Sequence, residues 1–136
     1  MSTEISPVIP FLRYRDSNAA VDWLTAVFGF EPVVVAKDDH GKVVHASLRF
    51  GSGAVMIGPA GDGPLDVRSP LDLPATSQGV YVYLADGVAA HYKQATEGGA
   101  EVVLPLADMD YGSTEYTVRD PEGHIWSFGS YLPSAE

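Results

Sequence analysis

The chain has 136 residues, 46% of them hydrophobic, which suits one ordinary domain with a real core and excludes a disordered segment. Eight basic residues against 18 acidic ones leave a net charge of −10 with no Lys/Arg cluster, which argues against a nucleic-acid partner. No apolar run reaches the roughly 20 residues that cross a bilayer, and the absence of cysteine removes disulfides, thiolate nucleophiles and cysteine-held metal sites.

The first residues, MSTEISP, carry Glu4 and no basic, apolar leader, so the expectation is a cytoplasmic protein without a secretory signal. From Pro10 the apolar residues alternate as in a strand: Pro10, Leu12 and Tyr14 share one face. Asp16 stands at a helix N-cap, where its carboxylate can accept orphan backbone N–H groups. Ala20, Leu24, Val27 and Phe28 recur at helical spacing, and Gly29 can end the helix in a left-handed conformation. Three β-rich runs follow, EPVVVA, KVVHASLRF and AVMIG, the last two joined by the turn GSG. The segment Pro59–Gln78, rich in Pro and Gly, reads as a linker, with a flap as the other option. Val80, Val82 and Leu84 then alternate, Asp86 takes the cap position, and Val88, Ala89, Tyr92 and Ala95 make a weaker stripe ended by Gly98 and Gly99. EVVLPL, STEYTVR and HIWSFGSY close the chain as strands, with DPEG as the last turn.

The second half repeats the first. At a constant shift of seventy, Asp16 falls on Asp86, Ala19 on Ala89, Ala20 on Ala90 and Gly29 on Gly99. Glu31 falls on Glu101, Val33 on Val103, Arg49 on Arg119 and Gly53 on Gly123. The unit is β-α-β-β-β, with module one at about 7–58, module two at about 79–131 and a linker at 59–78. One helix covers one sheet face, so the two open faces are expected to surround a shared groove, a natural ligand site.

RDPEGHIWSF, LRYRDSNAAVDWLTAVFGF and GAEVV resemble the vicinal oxygen chelate superfamily, which includes glyoxalase, bleomycin-resistance proteins and extradiol dioxygenases. The resemblance covers nearly the whole chain. It implies an α+β fold in a single domain, 1–136, with two tandem β-α-β-β-β modules forming a curved mixed sheet around a central cleft. It also implies a homodimer. The family hosts several chemistries, so the fold alone names none of them.

Metal-dependent members of that superfamily carry His or Gln in the first strand, Glu at the end of the first module, His in the first strand of the second and Glu in the last strand, all facing the groove. Carried over one at a time, the first-strand position, seven before Asp16, lands on Ile9, and its counterpart before Asp86 lands on Gly79. The other two land on Met56, within one residue, and on Ser127. Side chains of Ile, Gly, Met and Ser do not make a divalent-metal site, and Val55 and Ile57 beside Met56 would serve no better. Ser127 alternates with Trp126 and Phe128, so it faces the groove, as a donor to a ligand oxygen or as a small residue that makes space.

In VVHASLRF, Ala46, Leu48 and Phe50 suit the core, which turns His45, Ser47 and Arg49 to the groove. At the seventy-residue shift they correspond to Glu115, Thr117 and Arg119, so His45 and Glu115 form a candidate proton-exchanging or ligand-holding pair, with a structural ion pair or a solvated strand face as the other reading. Phe11, Tyr81 and Tyr83 share the parity of the metal positions and Tyr111 lies in a nearby loop, placed to stack on a planar or cationic ligand or simply to pack. Arg13 shares the parity of Phe11 and could meet an anionic group. His40 reads as a solvated turn residue, His91 as an exposed helix residue and His124 as a hydrogen-bonding support of the DPEG turn.

The resulting expectation is a small-molecule binding protein of the bleomycin-resistance type, without metal or cofactor, that sequesters a planar or cationic compound. Its ligand-binding candidates are Phe11, Arg13, His45, Ser47, Arg49, Met56, Tyr81, Tyr83, Glu115 and Ser127. An alternative is a metal-dependent lyase, isomerase or dioxygenase with a displaced site, with His45 and Glu115 as its catalytic candidates. A third is an accessory domain whose groove is filled by Met56, Phe11 and Tyr81.

Overall fold

The structure is a computed structural model that describes residues 5–61 and 63–133. The reading of residues 1–4 as lacking a leader lies outside the described residues. Two compact units emerge, Met1–Leu73 and Pro74–Glu136, so the boundary falls inside the Pro/Gly-rich segment.

In the first unit the strands are β1 (Phe11–Tyr14), β2 (Glu31–Lys37), β3 (Val43–Phe50) and β4 (Gly53–Pro59). They form one mixed sheet in the order β1-β4-β3-β2, parallel between β1 and β4 and antiparallel elsewhere. Helix α1 (Ser17–Trp23) connects β1 to β2. Asp16 caps it as expected, its carboxylate accepting from the Ala19 N–H at 3.0 Å. Past Trp23 the helix widens into a π-helical turn, Leu24–Phe28, which Gly29 ends at φ 87°. Ala20, Leu24, Val27 and Phe28 are all buried, against a sheet face carrying Tyr14, Ala46, Leu48, Val55 and Ile57. Phe50 differs: it is only half-buried, beside Phe30 with ring centroids 5.3 Å apart.

The second unit repeats this plan with β5 (Gly79–Tyr83), α2 (Val88–Glu97), β6 (Glu101–Asp108), β7 (Thr114–Arg119) and β8 (Ile125–Gly129), in the order β5-β8-β7-β6. Helix α2 starts differently from α1. Gly87, at φ 75°, takes the N-cap position without a side-chain bond, so Asp86 does not cap the helix. The extra left-handed residue moves the helix start one position beyond its counterpart in module one. Val88 and Ala95 are buried, His91 and Tyr92 beside them are half-buried, and Ala89 is exposed. His91 is therefore not an exposed helix residue: its Nδ1 lies 2.6 Å from the Tyr116 hydroxyl, and its ring stacks 4.4 Å from Phe128.

The DPEG turn is held by Asp120, itself buried. One carboxylate oxygen accepts from the Glu122 and His124 N–H groups at 3.0 and 3.1 Å, and the other accepts from the Trp126 indole N–H at 3.0 Å. His124 thus supports the turn through its backbone. Gly123, at φ 95°, closes it.

The segment after β4 is more than a tether. Its Pro70–Asp72 forms a 3-10 turn capped by the buried Ser69, and Asp72 pairs with Arg15 at the end of β1. Among the described residues no helix is long and apolar enough to cross a membrane.

Candidate ligand-binding faces

Each sheet has one face against its helix and one open face, and strand register fixes which side chains stand together on the open face. In module one Phe11, Met56, Ser47 and Val34 are neighbours in a row across β1, β4, β3 and β2. In module two the matching row is Tyr81, Ser127, Thr117 and Leu104. Phe11, Ser47 and Val34 map to their partners at a shift of seventy, but Met56 maps to Ser127 at seventy-one. The cause is the turn: Arg49 pairs with Ala54, whereas Arg119 pairs with Ile125, so DPEG is one residue longer than its counterpart. The one-residue ambiguity at Met56 is thereby removed. The identity of Gly53 with Gly123 is coincidental, since Gly53 opens β4 while Gly123 lies in the turn.

The next row holds the polar candidates. Arg13 pairs with Gly58 and His45 with Ala36. A side chain at position 58 would collide with the Arg13 guanidinium, so the glycine lets Arg13 lie across β4, 5.3 Å from the Phe11 ring centroid. His45 Nε2 and Ser47 Oγ share a hydrogen bond at 3.1 Å. Arg49 stands further along, paired with Glu31 in register, donating to the Gly51 carbonyl at 2.8 Å.

Module two repeats the glycine device. Glu115 pairs with Gly129, and a Cβ there would sit 2.5 Å from Glu115 Cγ and 2.8 Å from the Tyr81 hydroxyl. Both side chains therefore cross the bare strand. Tyr81 donates to the Tyr131 carbonyl at 2.6 Å, and Tyr111 donates to the Glu115 carboxylate at 2.8 Å. Desolvation, then the Glu115 charge, pushes the Tyr81 phenol above its ordinary pKa. The hydrogen bond to Glu115 does the same first for Tyr111. Tyr83 is exposed and pairs with Gly129 from the β5 side. His45 and Glu115 each make a side-chain hydrogen bond within their own module.

Ser127 faces away from the buried Trp126 and Phe128, and its hydroxyl lies 2.7 Å from that of Thr117. The four positions that the resemblance assigns to metal ligands hold Ile9, Met56, Gly79 and Ser127, none of them a carboxylate or imidazole. At Gly79 the missing side chain is replaced by Ile125, whose Cγ2 would lie 3.2 Å from any Cβ built there. Among the described residues no group of three or more His, Asp or Glu gathers elsewhere. These residues do not fit a divalent metal of the family type.

Sequence reasoning missed Tyr131 and the roles of Gly58 and Gly129. The two glycines recur at the seventy-one-residue shift, a signal that appears only once the longer turn is allowed for.

Comparison with known proteins agrees with this architecture. The chain is 34% identical to TioX from Micromonospora sp. ML1, whose crystal structure superposes with a TM-score of 0.73 over 96% of this chain and all of the other. A superfamily member from Sphaerobacter thermophilus shares the fold at 20% identity and a TM-score of 0.70, covering 95% and 97% of the two chains. An uncharacterised protein of Mycobacterium bovis is 30% identical over 132 residues, 95% of this chain and 86% of its own. The model of the Glyoxalase/Bleomycin resistance protein/Dioxygenase superfamily matches residues 5–128, and the chain belongs to that superfamily.

Proposed function

We propose that this protein is a cytoplasmic homodimer that binds a planar or cationic small molecule on its open sheet faces and sequesters it without a metal at the family's ligand positions. The observation that carries this reading is the central row of module two, Tyr81-Ser127-Thr117, an aromatic ring beside a hydroxyl pair with no carboxylate or imidazole among them. Such a row can stack on a flat ligand and hydrogen-bond its edge, with no strong donor for a hard cation. Phe11, Met56 and Ser47 supply the equivalent apolar and hydroxyl surface in module one, with Arg13 and His45 beside them. Small molecules are what proteins of this superfamily bind. Dimerisation would cover the exposed apolar edges of the sheets, where Val33 and Val34 of β2 are 61% and 49% exposed and Leu104 of β6 is 56% exposed.

The test is a ligand-observed NMR screen of planar, cationic, anionic and neutral fragments against chelator-treated protein. Saturable binding of a planar or cationic fragment, weakened in a Ser127→Glu variant that fills the row with charge, supports the proposal. Binding that requires added divalent metal overturns it.

A further inference from the structure

We propose, resting on the small-molecule reading above, that module two contains a subsite for an organic ammonium ion, built from the rings of Tyr81, Tyr111 and Tyr131 around the Glu115 carboxylate. The rings of Tyr111 and Tyr131 meet edge to face, with centroids 5.9 Å apart. Tyr111 is bonded to the carboxylate itself, and Tyr81 is tied to the Tyr131 backbone. Gly129 leaves the strand beneath bare, so that Glu115 and Tyr81 converge over it. A larger residue there would fill the cradle.

Two further observations point to a cationic occupant. Among the described residues Glu115 has no basic partner, although it is half-buried on a sheet face. An unneutralised carboxylate beside aromatic rings is stabilised by an incoming positive charge. Tyr111 and Tyr131 are also large rings left 59% and 48% exposed, outside the core, where ring surface is available to a ligand. A single carboxylate is a poor site for a small hard metal ion, which needs several oxygen donors. A weakly hydrated alkylammonium gains from both the rings and the charge. The negative charge is already felt at both phenols, since Glu115 contributes to the raised pKa of Tyr81 and of Tyr111.

The test compares tetramethylammonium with tert-butanol, a neutral probe of similar size, by two-dimensional amide NMR of the full chain. Tetramethylammonium should bind saturably, shifting amides in 111–117 and 129–131, with at least about tenfold preference over tert-butanol, within the range cation–π and ionic contacts supply. Glu115→Gln should weaken it roughly tenfold, and Tyr111→Leu or Tyr131→Leu by about three- to tenfold. Tyr111→Phe keeps the ring and should keep the binding. If Tyr131→Leu fails to fold, Tyr111→Leu, at an exposed turn, decides. Equal affinity for the two probes, no saturable shift, or shifts confined to other residues would overturn the subsite. Neutral and anionic fragments run in parallel separate the two claims. If one of them binds while tetramethylammonium does not, the ammonium subsite falls and the wider small-molecule reading stands. If nothing binds, both fall.

Discussion

Asp120 organises the last turn of module two, because its two carboxylate oxygens accept three N–H groups inside a buried turn. Asp120→Ala removes the acceptor of the Trp126 indole N–H and of two backbone N–H groups in a buried turn, and should cost about 3 kcal/mol in urea unfolding. The two aspartates aligned by the repeat should behave differently from each other. Asp16→Ala removes a formed cap and should cost about 1 kcal/mol, whereas Asp86→Ala should stay within about 0.5 kcal/mol because Gly87 caps α2 without a side chain. Tyr116 gives a pH signature. Burial, with a smaller push from the neighbouring phenol of Tyr92, raises its pKa well above the ordinary value of about 10. The folded state then holds its proton more tightly than the unfolded chain does, so this contribution is complete below about pH 10 and is lost as pH climbs further. Tyr81 and Tyr111, also raised, act in the same direction. Unfolding free energy measured from pH 8 to pH 11 should therefore fall at the alkaline end, and Tyr116→Phe should flatten that fall.

At the level of elements, much of the architecture is legible because each strand has one dry face and one wet one. Tyr14, Ala46, Leu48, Trp126 and Phe128 alternate with Arg13, Ser47 and Ser127, and that period of two fixes which residues share the open face. The helix of module one follows equally from its apolar spacing and its capping aspartate. What stays hidden has local causes. The π-helical turn at Leu24–Phe28 has no marker in composition, since its residues suit an ordinary helix equally well. His91 reads as surface because histidine is polar, yet at the fourth position of α2 it is half-buried and bonds a tyrosine hydroxyl. Gly58 and Gly129 read as ordinary strand glycines, and only three dimensions show Arg13, Glu115 and Tyr81 lying over them. Gly129→Ala should accordingly displace Tyr81 and Glu115, weakening tetramethylammonium binding by about tenfold, while the sheet retains its amide dispersion in NMR.

The molecule as a whole is a duplicated unit whose copies have diverged in charge. Module one offers Arg13 and His45 on its open face, and module two offers Glu115 among tyrosines. The positions that the family resemblance assigns to metal donors hold Ile9, Met56, Gly79 and Ser127, and they are readable from sequence because they can be counted from the module landmarks such as Asp16, Asp86 and Asp120. Pairing between copies of the chain is expected to cover β2 and β6, so sedimentation should give a dimer, and Val34→Lys with Leu104→Lys should shift it toward monomer. The measurement that bears most directly on the metal-independent account is the thermal midpoint of metal-stripped protein with and without saturating Ni²⁺, Zn²⁺, Mn²⁺ or anaerobic Fe²⁺. A metal held at a hundred times its dissociation constant adds about 2.7 kcal/mol and raises the midpoint by several degrees. No shift with any of the four ions is the expected result. A saturable rise that disappears in the His45→Ala/Glu115→Ala double variant would contradict the account and direct attention to a metal-dependent enzyme.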